Sequence, residues 1–126
     1  MTTATAAETT AVEFFRAKLQ FETTPHTLKY NLEQGKVFLI DVRDAESFAK
    51  ERIPGAANFP LTELEKSYSK LPQDKTLVTY CWNITCAMAT KAALQLAEKG
   101  FKVQELMGGL DEFRKKFPTE GTAIKK

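Results

Sequence analysis

Two short runs constrain this chain more than any other feature: Val37-Phe38-Leu39-Ile40 and Thr76-Leu77-Val78-Thr79-Tyr80. Both are rich in β-branched and aromatic residues, too short for helices, and nearly free of strongly polar groups. That is the pattern of strands covered on both faces. Helical signals surround them. Thr24-Pro25 reads as an N-cap with proline at the first helical position, opening a helix that stops at Gly35. Asp44 can cap a short helix to Lys50, Ile53-Pro54-Gly55 forces a turn, and 57–59 is a brief strand. Thr62 can cap a helix carrying Leu64, Tyr68 and Leu71, which Pro72 ends. From Ala87 a run of good helix formers extends to Gly100, followed by a strand over 101–106, a turn at Gly108-Gly109 and a helix over 110–117. Upstream, a helix over 11–18 and an edge strand over 19–21 are expected, with Phe14, Phe15, Phe21, Phe38 and Phe48 as packing residues. Strands joined through helices imply an α/β fold: a mostly parallel sheet with right-handed crossovers and helices on both faces.

The length of 126 residues admits one core, and 18 Lys plus Arg against 16 Asp plus Glu leave a net charge of only +2. Without a basic surplus, nucleic acid is not an expected partner. No apolar run approaches the roughly 18 residues of a membrane span, so the bilayer is not one either. The expected organisation is a flexible leader over 1–9, a single domain over 10–120 and a polar tail over 121–126. Two cysteines, Cys81 and Cys86, are too few for a disulfide-stapled secreted fold, and with the single histidine, His26, they do not make a four-ligand zinc site. No metal and no cofactor is expected. With no targeting signature in the opening residues, a reducing cytoplasm is the expected setting.

Cys81 directly follows the second strong strand, and ligands of open α/β sheets gather beyond the carboxyl ends of strands. The bend Cys81-Trp82-Asn83-Ile84-Thr85-Cys86 must curl from that strand into the next helix. Its amides can then face inward as an anion-holding nest, with the helix dipole adding positive potential. An unperturbed thiol is only about 3% ionised at pH 7, so such a nest is what turns a cysteine into a nucleophile. The bland reading stays open: a small buried residue ending a strand. Nothing places His26 near Cys81, so a Cys-His hydrolase is weakly supported. Asp41 and Arg43, at the end of the first strand, read as groups tying that strand to adjacent loops.

Five segments in order resemble the rhodanese family of sulfurtransferases. They are Leu39-Ile40-Asp41-Val42-Arg43; Glu46 to Phe48 with Arg52-Ile53-Pro54-Gly55-Ala56-Ala57-Asn58-Phe59-Pro60; Tyr80-Cys81; Ala92-Ala93 with the run from Leu96 to Gly100; and Leu106-Met107-Gly108-Gly109-Leu110. The resemblance implies a five-stranded sheet and a persulfide on Cys81. A small sulfur donor such as thiosulfate or another persulfide would load it, and a thiol, protein thiol or cyanide would unload it. Departures accompany the match. Many family members end the loop with Arg or Lys, where this chain has Cys86, which puts thiosulfate as preferred donor in doubt. Ile84 replaces a common glycine and would be strained at positive φ, so the loop path is expected to differ. Arg52 stands where histidine is frequent, and Phe113 where tryptophan is usual.

Cys86 has two readings, a small packed side chain or a resolving thiol that attacks persulfidated Cys81 if the Cα atoms lie within about 7 Å. Trp82 is either a pocket wall or plain packing, and Asn83 and Thr85 bond either the loop or a ligand. The leading alternative function is a catalytically silent interaction or regulatory module. A phosphatase or arsenate reductase is disfavoured because residues 82–90 contain no Arg or Lys to face an oxyanion.

Overall fold

The computed structural model describes residues 6–124. Five strands form one sheet in the order β1-β5-β4-β2-β3. They are β1 (Glu22–Thr23), β2 (Val37–Asp41), β3 (Ala57–Asn58), β4 (Thr76–Tyr80) and β5 (Val103–Leu106), and every pairing is parallel. The helices are α1 (Ala6–Phe21), α2 (Pro25–Glu33), α3 (Ala45–Lys50), α4 (Met88–Glu98) and α5 (Gly109–Lys116), with a 3-10 segment over Leu61–Lys70.

Period-two alternation explains the two packed layers. Val37 and Leu39 of β2, with Val78 and Tyr80 of β4, point to one face and pack with Leu28 of α2 and Leu110 and Phe113 of α5. Ile40 and Leu77 point to the other, against Leu64, Ala89, Ala92 and Leu96. Both central strands are thus covered on both faces, as their composition requires. Local caps set the helix starts. Thr24 Oγ1 accepts from the Thr27 amide at 3.3 Å and Asp44 Oδ1 from the Ser47 amide at 2.7 Å.

Three expectations at the edges need correction. The edge strand is Glu22–Thr23, and residues 19–21 belong to α1, because pairing with β5 begins only at Glu22 opposite Glu105. Phe14, Phe15 and Phe21 are not part of the core: they are 58%, 60% and 46% exposed, and the first two rings meet each other edge to face. The segment after Pro60 is 3-10 and has no side-chain cap, so Thr62 does not play that role. Of the expected leader, residues 1–5 lie outside the described residues and the chain is already helical from Ala6. The expected tail is docked as far as it is described, the amides of Thr122 and Ala123 donating to Ala49 and Lys50 carbonyls at 2.9 and 3.0 Å.

Candidate active site

The carboxyl end of β4 delivers Cys81 into a bend organised by Asn83. Its side-chain oxygen accepts from the Thr85 amide at 3.1 Å and the Thr85 hydroxyl at 2.8 Å, and its carbonyl accepts from the Cys86 amide at 3.1 Å. The opposite flank is held by the start of α5, where the amides of Leu110 and Asp111 donate to the carbonyls of Cys81 and Trp82 at 2.9 and 3.0 Å. Gly109 permits that approach: a Cβ there would sit 2.6 Å from the Cys81 carbonyl oxygen. The bend brings Cys81 and Cys86 to a Cα separation of 6.3 Å, and a disulfide joins them. Cys81 is 2% exposed and packs among the apolar residues under α4.

This geometry revises the expected anion nest. Two of the amides expected to hold an anion, those of Thr85 and Cys86, are bonded to Asn83 within the loop instead. Positive potential reaches the cysteines instead from α4, an 11-residue helix whose first turn has no side-chain cap. Ile84 is unstrained: among the described residues no non-glycine has positive φ, and its side chain projects outward, 85% exposed. Trp82 does not wall the cavity at the cysteines; its ring lies on the Arg43 guanidinium, 4.2 Å from the ring centre.

Arg43 and Asp41 form a buried pair, with Nη2 to Oδ2 at 2.7 Å and Nε to Oδ1 at 3.0 Å. Nη2 also donates to the Glu51 carbonyl, and Asn58 bonds the carbonyls of Asp41 and Arg43 at 3.1 and 2.9 Å. Burial pulls the guanidinium pKa down, but the bonds and charge of Asp41 outweigh it and hold the pKa above the ordinary arginine value. Nη1 has no hydrogen-bond partner and lies among buried atoms, which fits its place beside the Trp82 ring. The Tyr80 hydroxyl accepts from the Ile53 amide at 3.1 Å; burial first, then Asp41, push its pKa far above the usual phenol range. These groups brace the strand ends beneath the bend.

Cys81 and Cys86 border a 260 Å³ cavity together with Asn83, Ile84, Ala89 and Thr90. Its far wall is one that sequence reasoning did not find: Lys18 from α1, Glu22 from β1 and Glu105 from β5. Glu22 and Glu105 are register partners across β1 and β5. Lys18 pairs with Glu22 at 2.8 Å, and the Thr90 hydroxyl donates to Glu105 at 2.7 Å. No local motif marks these residues; only the i, i+4 spacing of Lys18 and Glu22 was readable. His26 stays apart, facing a neighbouring groove with its ring 4.9 Å from that of Phe117.

Residues 24–116 match the model of the rhodanese-like domain family. The chain belongs to the rhodanese-like domain family. A solved structure of the BH2092 protein from Bacillus halodurans aligns at a TM-score of 0.83 and 36% identity, over 92% of this chain and 88% of that one. Thiosulfate sulfurtransferase GlpE of Coxiella burnetii is 30% identical over 84 residues, 66% of this rhodanese-like chain and 77% of GlpE. The HTH-type transcriptional regulator Rv0324 of Mycobacterium tuberculosis is 38% identical over 82 residues, 65% of this chain. Those residues span only 36% of the regulator's length. Relatives of this chain thus include sulfurtransferases. No helix among the described residues is long and apolar enough to cross a membrane.

Proposed function

We propose that this protein moves sulfane sulfur through a persulfide on Cys81, with Cys86 as its resolving thiol. The observation that carries the reading is the disulfide across the bend at the end of β4, which puts a second thiol within bonding reach of the first. The oxidised pair is the closed form; reduction by a dithiol frees both cysteines, and α4 favours the Cys81 thiolate. The thiolate attacks the outer sulfur of a persulfide donor, that sulfur–sulfur bond breaks, and the donor's thiol leaves as its thiolate. An acceptor thiolate then attacks the outer sulfur of Cys81 persulfide and restores the Cys81 thiolate. When acceptor is scarce, the Cys86 thiolate attacks Cys81 Sγ instead. The bond from Cys81 Sγ to the outer sulfur breaks, hydrosulfide leaves with its sulfur reduced, and the Cys86 sulfur is oxidised to the level Cys81 Sγ already has, which closes the disulfide. A compartment that supplies thiol reductant, such as the cytoplasm, suits this cycle.

Intact-mass analysis tests it. Reduced wild type treated with a persulfide donor gains one sulfur, about 32 Da, and on donor removal relaxes to the disulfide, about 2 Da below the reduced mass. Cys86→Ser keeps the added sulfur and Cys81→Ser never acquires it. A wild-type adduct as lasting as that of Cys86→Ser removes the resolving role.

A second reading is a catalytically silent regulatory module, favoured by the deep burial of Cys81 and by the likeness to a transcriptional regulator. It predicts no sulfur uptake from thiosulfate, persulfides or mercaptopyruvate, and partner binding that persists in Cys81→Ser.

A further inference from the structure

We propose that the cavity at the cysteine pair selects its sulfur donor by charge, taking a persulfide carried on a neutral or cationic thiol in preference to an oxyanion such as thiosulfate. The inference rests on the sulfurtransferase reading and adds its substrate class. A doubly charged donor needs a cation at the reacting sulfur. Cys86 occupies the end of the loop, and the charged groups on the cavity wall are Lys18, Glu22 and Glu105. Lys18 is already paired with Glu22 at 2.8 Å, which leaves Glu105 as the unbalanced charge of the cavity.

Nearby cations do not change that sign. Arg43 is 1% exposed, held by Asp41 and stacked on Trp82, and it does not reach the cavity. The adjoining groove carries Asp111 and Glu112 against Lys115 and Lys116, a balanced set. The positive end of α4 acts on the Cys81 thiolate itself. An incoming donor therefore meets a thiolate and an acidic wall together. Lys18 and Glu22 lie before the matched residues 24–116, so two of the three charged groups of this wall come from the N-terminal helix and edge strand, while the unbalanced Glu105 lies on β5 within the matched residues.

The experiment reads charge directly at Cys81. In a reduced Cys86→Ser background, the labelling rates of a trimethylammonium and a sulfonate methanethiosulfonate reagent are measured at low ionic strength. Their ratio is compared with that in Glu22→Gln/Glu105→Gln and in Lys18→Gln. Gln at 105 retains an acceptor for Thr90. The cation-to-anion ratio is expected to fall about fivefold or more in the double Gln variant and to rise about fivefold in Lys18→Gln, as charges within a Debye length require. An unchanged ratio overturns the proposal. In parallel, sulfur gain by mass is followed with thiosulfate and with the persulfides of cysteamine and mercaptopropionate. The cysteamine persulfide is expected to load wild type fastest, and the double variant to load from thiosulfate about fivefold faster than wild type. Sulfur gain that ignores donor charge removes this inference alone. Failure of every donor in every variant removes the transfer reading, and this inference with it.

Discussion

Gly109→Ala probes the contact on which the site's geometry depends. At φ +60° an alanine pays the left-handed penalty, and its Cβ would stand 2.6 Å from the Cys81 carbonyl oxygen and 3.0 Å from the Asn83 nitrogen. Backbone atoms cannot swing aside as a flexible side chain can. The bend or α5 must shift, weakening the bonds from Leu110 and Asp111 to Cys81 and Trp82. Gly35→Ala is the control, since Gly35 has φ +68° but nothing within 4 Å of the added carbon. The control should lose about 1 kcal/mol, the left-handed term alone. Gly109→Ala should lose about 2–4 kcal/mol, the same term plus about 1–3 kcal/mol of overpacking. Urea denaturation with the disulfide intact reads the difference as a midpoint about 1 M lower for Gly109→Ala than for Gly35→Ala. Coincident midpoints would refute the claim that α5 is seated directly on the cysteine bend.

Further outcomes follow from the same structure. Arg43→Met leaves the buried Asp41 carboxylate without its partner and should cost about 3–5 kcal/mol by urea titration, while Arg43→Met/Asp41→Leu should recover much of that. Burial raises the Glu51 pKa, but bonds from Arg114 and Thr119 outweigh it and hold the pKa below the ordinary 4.5. Its contribution is therefore present above the unfolded-state value and lost as pH falls through the lower folded one. Glu51→Gln should flatten the acid limb of stability against pH, and an unaltered limb would count against the pairing. Reducing the disulfide, whose partners are separated by 5 positions, should lower stability by about 2 kcal/mol, measured by urea denaturation with and without dithiothreitol.

What could be read in the sequence was whatever is written locally. Thr24-Pro25 and Asp44 cap their helices through hydrogen bonds to residues three positions on, so no tertiary information is needed. The alternation of Val37 and Leu39 with Phe38 and Ile40 assigns each to a face before the opposing layer is known. Edges behaved differently. Leu19 to Phe21 have strand-like composition, but they complete the last turn of α1, and pairing with β5 starts only at Glu22. Ile84, standing where glycine is common, implies a loop path of its own, and the turn closed by Asn83 takes one that avoids positive φ.

By itself, then, the amino-acid order determined the parallel α/β architecture, the position of Cys81 past the end of a central strand and the presence of a second thiol close by. Those features follow from nearest-neighbour conformational preferences and from the burial of apolar faces. Only the tertiary structure decided that the two sulfurs bond, that Trp82 turns onto Arg43, and that Lys18, Glu22 and Glu105 close the cavity. Such meetings depend on how strands far apart in the chain pair side by side, and pairing is set by the whole sheet at once.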